Sequence, residues 1–166
     1  SQESPESYGS WANGSAMRVS PCAWVAESLE ESQRLAELSA IITHDHPEGV
    51  KGALATSDAI YLARKGSSKD EIRDYITNEF GYDLSKTVDE IRPDYTFDVS
   101  CAGSVPESII CFLDADDFED TIRNAVSFSP SSTVISSFSL SLLMRIVISI
   151  SAFLPPISQR VLMPLL

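Results

Sequence analysis

The sequence holds very little histidine. Only His44 and His46 occur in 166 residues, so imidazole chemistry of any kind is confined to one short stretch. Cysteine is almost as sparse: Cys22, Cys101 and Cys111 are an odd number at wide spacing. That pattern excludes a disulfide frame and reads as reduced thiols of a cytoplasmic protein. Positive charge is scarce too, with 12 Lys and Arg against 24 Asp and Glu and a formal net charge of -12. A surface of that sign repels phosphate backbones, so nucleic acid is excluded as a partner. No basic stretch followed by an apolar run opens the chain, which argues against a secretory signal. The opening Ser1-Gln2-Glu3 has no initiator Met and reads as that of a processed piece or of a fragment of something longer.

The sharpest absence is local. After Asp120 no Asp or Glu occurs; beyond Ser127 only Arg145 and Arg160 are charged, and serines crowd residues 127–151. Residues 134–153 approach membrane-spanning length, but the serines and the central Arg145 weigh against a span, and no membrane partner is expected. Serine alternating with Val, Ile, Leu and Phe favours extended structure over helix, and a tail with so few charges is prone to associate. Residues 129–166 are therefore set apart from residues 1–128 as a divergent tail.

What the chain does have is helical periodicity. From Ser28 to Thr43, Leu29, Leu35, Ala36, Leu38, Ala40, Ile41 and Ile42 recur at three- and four-residue steps. This predicts an amphipathic helix with these residues on its apolar face and Glu30, Glu31, Gln33, Arg34 and Glu37 on a solvated one. A second helix is predicted from Pro47 to Lys65 with Gly66 as its stop. A third opens at Ser68, where Glu71 three residues on forms a capping box, and closes at Gly81. Thr87 to Ile91 is a short helical turn before Pro93. Ser104 to Leu113, with Pro106 in its first turn, and Asp116 to Ala125 complete the set. The predicted class is all-α. At this length the chain suits one domain with a sizeable core.

Two stretches carry candidate chemistry. The break Thr43-His44-Asp45-His46-Pro47-Glu48 lies at a helix-helix junction, with Pro47 and Glu48 suited to a first helical turn. Its imidazoles and carboxylates could ligate a metal, yet no further ligand cluster elsewhere completes a cage. A neutral His at a helix end, able to donate to or accept from a ligand, fits the pattern better. Residues 7 to 18, rich in turn formers and small side chains, suit a loop wrapped around a ligand or an ordinary surface loop, with Gly9 and Asn13-Gly14 permitting close backbone approach.

In order along the chain, Asn13-Gly14-Ser15-Ala16-Met17-Arg18, Thr43-His44-Asp45-His46-Pro47-Glu48-Gly49, Phe97-Asp98-Val99-Ser100-Cys101, Gly103-Ser104-Val105-Pro106-Glu107 and Asp117-Phe118-Glu119-Asp120-Thr121 closely resemble the C-terminal half of bacterial ADP-ribosylglycohydrolases. The resemblance covers about residues 9 to 128 and implies part of that family's orthogonal helical bundle. It also implies a hydrolase that cleaves ADP-ribose from a protein side chain or related acceptor, using two magnesium ions. On this chain the ligand-contacting loop falls on Gly9, Ser10, Trp11 and Asn13, with Ala12 where the family usually has Gly, and the ligand-contacting histidine is His44. Trp11 offers an aromatic plane for stacking.

The departures concern the metals. One part of the family's ligand set lies in an N-terminal half that this chain does not carry. The other is a Gly-Gly-Asp-x-Asp-Thr motif, at whose place stands Ser129-Pro130-Ser131-Ser132-Thr133-Val134. Hydroxyls alone do not bind magnesium usefully, so no metal-ligating or catalytic residue is assigned, and magnesium is not expected on this chain. The abrupt loss of carboxylates suggests a disrupted coding frame. The expectation is an incomplete, inactive member that meets ADP-ribose or an ADP-ribosylated protein; the alternative is a non-catalytic ADP-ribose-binding or crystallin-like structural member.

Overall fold

A computed structural model describes Ser7 and residues 9–128; the tail at 129–166 and the possible span at 134–153 lie outside the described residues. Among the described residues eight α-helices follow one another: α1 Gly14–Arg18, α2 Ser20–Val25, α3 Leu29–Ile41, α4 Pro47–Lys65, α5 Lys69–Phe80, α6 Val88–Ile91, α7 Cys101–Asp114 and α8 Phe118–Ser127. A 3-10 turn at Arg92–Asp94 continues α6. Among the described residues there is no strand, only an isolated antiparallel bridge between Ala12 and Ser100, so the fold is all-α. No helix among them is long and apolar enough to cross a membrane.

The helix limits follow local chemistry. Ser28, Ser68, Thr87, Ser100 and Asp117 each cap a helix by accepting a backbone N–H on the side-chain oxygen, and both Ser68/Glu71 and Thr87/Glu90 are complete capping boxes. Gly66 and Gly81 end α4 and α5 in the left-handed conformation, φ +88° and +66°, where a side chain would be strained. The start of α7 lies earlier than Ser104. The Ser100 hydroxyl takes the Gly103 N–H at 2.9 Å and begins the helix at Cys101, placing Pro106 inside the helix and not in its first turn.

Helix α4 is the axis of the molecule: α1, α2, α3, α5 and α7 all pack on it. Ile60, Ile72, Ile76, Leu84, Val105 and Ile109 fill the main core without exposure. A smaller cluster, Val19, Ala36, Ala40 and Ala53, joins α3 to α4. Here the expected apolar face of α3 is corrected. The large residues Leu38, Ile41 and Ile42 are exposed, whereas Ser32, Ala36 and Ala40 are buried. The contact selects small side chains because α3 lies so close to α4 that the Ser32 and Ser57 hydroxyls bond at 2.8 Å. Gln33, placed on the solvated face by periodicity, donates instead to Asp58 Oδ2 at 2.8 Å.

Asp58 is wholly buried on α4 and also accepts from the Tyr75 hydroxyl at 3.1 Å, leaving its Oδ1 without a partner. Burial pushes its carboxyl up to about 6, against the opposing effect of those two donors.

Candidate functional site

Three separate parts of the chain meet around the N-terminal ends of α4 and α7. The Ser10 N–H donates to the Thr43 carbonyl at 3.3 Å, the Asn13 N–H to the Val99 carbonyl at 2.9 Å and the Cys101 N–H to the Trp11 carbonyl at 3.1 Å. These bonds stretch residues 9–13 as a strip between the α3–α4 junction and the start of α7. Gly9 sits at φ +63°, close to Asp45. Ser10 closes a small local turn by accepting the Ala12 N–H at 3.3 Å.

The strip passes over α4 at Gly49. A Cβ there would stand 2.6 Å from the Ser10 carbonyl oxygen and 3.0 Å from that of His44, both backbone atoms that cannot swing aside. The Ser15 hydroxyl donates to the Gly49 carbonyl at 2.7 Å, and the Asn13 amide to the Ser104 hydroxyl at 2.8 Å. Asn13 is thus 2% exposed and spent on holding α1 against α7. Gly52 admits the Cys101 side chain in the same way. The buried Cys101 thiol, its pKa raised by burial, stays protonated and donates weakly to the Ala12 carbonyl at 3.4 Å.

His44 lies under this strip, 8% exposed. Its Nδ1 is 2.7 Å from the Thr43 hydroxyl, which in turn accepts from the Arg18 guanidinium at 2.8 Å. Burial, and secondarily the Arg18 charge, lower its pKa, so the ring is neutral at physiological pH. Gly14 faces the ring: a Cβ there would meet His44 Nε2 at 3.0 Å. The ring of Trp11, 49% exposed, stands free for stacking.

Of the five sequence-predicted site residues, the structure therefore gathers Gly9, Ser10, Trp11 and His44 along one ledge. Asn13 is adjacent, but its side chain serves as a tie between helices. Residues 14–18, predicted as loop, form α1, and the unpredicted α2 follows it. Gly14 is helical and has no positive φ; its role is to make room for His44. His46 is spatially separate in function: it caps α4, its Nδ1 accepting the Glu48 N–H at 3.2 Å. Gly49 and Cys101 were missed as parts of the site. Only the glycine spacing in the Glu48-Gly49-Val50-Lys51-Gly52 segment hinted at a close approach.

Among the described residues no three His, Cys, Asp or Glu side chains are grouped to hold a metal ion. The donor set does not suit magnesium: beside the Asp45 carboxylate near Gly9 the ledge offers hydroxyls, an imidazole and backbone groups, where that ion requires several anionic oxygens. A concavity of about 340 Å³, which none of the five predicted site residues lines, is bounded by Lys86, Tyr95, Asp98 and Glu107 among others. Burial, reinforced by the Asp98 charge, pushes Glu107 up to about 7.

Against known proteins, a family profile described as ADP-ribosylglycohydrolase matches residues 1–142, running past the compositional boundary at residue 128. ADP-ribosylhydrolase ARH3 of Homo sapiens and that of Bos taurus are each 40% identical over 63 residues, which is 38% of this chain and 17% of the relative. The Mus musculus ARH3 matches over the same extent at the same identity. The aligned stretch is thus a small part of the length of these relatives.

Proposed function

The chain belongs to the ADP-ribosylglycohydrolase family, and from that premise we propose that its ledge binds ADP-ribose, free or protein-attached, without hydrolysing it. The observation that carries this reading is that the strip bearing the exposed Trp11 ring is bonded at Ser10 to Thr43, next to the buried, neutral His44. An aromatic plane and a hydrogen-bonding imidazole contributed by adjoining segments suit a ligand of rings and ribose hydroxyls. The names of the ARH3 relatives point to ADP-ribose as the ligand class.

Hydrolysis is a different matter. In this family magnesium would supply the activated water, but neither the ledge nor any Asp or Glu beyond Asp120 provides the carboxylates to hold it. In this proposal residues 1–128 form the family-type part and residues 129–166 a divergent tail. Three free thiols accord with a reducing, cytoplasmic setting.

Calorimetry with ADP-ribose and the full chain tests the binding. Trp11→Ala should weaken it about three- to tenfold through lost stacking, and His44→Ala should weaken it as well. Parental affinity in both variants would overturn the site. Mixing the chain with magnesium and an ADP-ribosylated protein should release no ADP-ribose. Release that stops on chelation would overturn the non-hydrolytic reading.

A further inference from the structure

His44 ends a chain of hydrogen bonds whose direction is set from the other end. Arg18 can only donate. Its Nη2 reaches the Ser39 carbonyl at 2.7 Å, the Ala40 carbonyl at 3.4 Å and the Thr43 hydroxyl at 2.8 Å. A hydroxyl that accepts from a guanidinium is polarised toward giving its own single proton away. The acceptor at hand is His44 Nδ1, 2.7 Å distant. With Nδ1 used as an acceptor, a neutral imidazole carries its proton on Nε2. That nitrogen faces Gly14, has no hydrogen-bond partner among the described residues and is not sealed from solvent.

We infer that Arg18 and Thr43 are positioning residues that lock His44 as the Nε2–H tautomer, so that the ledge presents a fixed N–H donor to a ligand oxygen. The ring then acts by donating a hydrogen bond and not as a base toward the ligand, because its one basic lone pair is occupied by Thr43. The same guanidinium also covers the last carbonyls of α3, so the lock and the end of that helix are one construction. Gly14 is its complement: any side chain there would press on the nitrogen that must stay open.

The relevance to ADP-ribose rests on the proposed function; the tautomer lock itself does not. Nitrogen-15 NMR of the imidazoles in the full chain at pH 8 reads it directly, with only one other histidine, His46, in the spectrum. The parent should show His44 protonated at Nε2 alone. Thr43→Val should turn this into an averaged mixture of tautomers, and Thr43→Ser, which keeps the hydroxyl, should restore the parental spectrum. Arg18→Lys should keep the low titration of His44, because the charge remains, while loosening the tautomer, because one ammonium cannot reach the Ser39 and Thr43 oxygens with the same geometry. A parent His44 protonated at Nδ1, or a pure Nε2–H signal surviving in Thr43→Val, would overturn the lock. In calorimetry Thr43→Val should bind ADP-ribose about fivefold more weakly and Thr43→Ser like the parent. If the tautomer loosens in Thr43→Val while affinity stays parental, the donor role is overturned. A parent that binds no ADP-ribose overturns the ligand assignment, and the NMR result still decides the lock.

Discussion

The two ends of α4 are built by different means. At its C-terminus the Gly66 N–H donates to Ala63 and the Ser67 N–H to Leu62, Gly66 takes φ +88°, and nothing lies within 4 Å of where its side chain would be. Ser68 then opens α5 with its own capping box. Every backbone partner in that turn is within a few residues and the turn faces solvent; the distant tie is the Arg64 side chain just before it, which donates to the Trp24 and Ala26 carbonyls. At its N-terminus, α4 also has a local cap in His46 and Pro47. Everything else there comes from far along the chain: the Ser10 carbonyl over Gly49, the Ser15 hydroxyl on the Gly49 carbonyl, Arg18 on Thr43, and Cys101 against Gly52. A local turn can be rebuilt by any chain that carries the right few residues. The ledge exists only when three separate segments have already met, and the candidate site lies on that end.

The contrast is best broken with glycine substitutions. Gly49→Ala forces a methyl group onto two backbone oxygens and should cost about 3 kcal/mol by urea unfolding, with the ledge disturbed as well. Gly66→Ala meets no neighbour and pays only for the left-handed backbone, about 1 kcal/mol, with the ledge intact. Equal losses at the two glycines would mean that the N-terminal end is no more dependent on distant packing than the other.

Asp58, midway between these ends, sharpens the comparison through pH. Its carboxyl holds a proton up to about pH 6 when folded, against an ordinary value of 3.8. The folded state therefore binds protons more tightly than the unfolded chain, and its contribution to stability declines as pH rises from about 4 to about 6, levelling off above. Asp58→Asn should remove that slope and stabilise the protein at pH 7 by roughly 2 kcal/mol, seen as a higher urea midpoint. A parental slope in the variant would show that the buried carboxyl is not its source.

The smallest expected effect concerns His44. Its pKa is lowered in the folded state, so its contribution is complete above the ordinary value of 6.5 and lost as pH falls below that value. The slope is opposite in sign to that of Asp58. His44→Gln should flatten it, and a stability profile between pH 5 and 7 that is unchanged by this substitution would count against burial of the ring.

Much of the helix order was legible because its signals are local. The Ser68/Glu71 box, Gly66, Gly81 and the period of α4 and α5 depend on neighbours within one or two turns. The first two helices were not legible as helices. At five and six residues they are too short to show a period, and Asn13-Gly14 and Pro21 look like turn chemistry when read alone. The face of α3 was misread because periodicity ranks residues by hydrophobicity, whereas the contact with α4 selected them by size. Leu38 and Ile42 lost to Ala36 and Ala40 there.

Sequence alone determined the all-α class, the caps and stops of the middle helices, the absence of carboxylates after Asp120, and the segments from which a ligand site could come. Those properties are set by composition and by interactions spanning a few residues. Only the tertiary structure decided that Asn13 is a tie between helices, that Gly14 and Gly49 are spaces for His44 and Ser10, and that Arg18 acts through Thr43 on His44. Each of those roles depends on atoms at least 25 residues away in sequence, and nothing in the local pattern of a glycine or an arginine says which distant group will stand beside it.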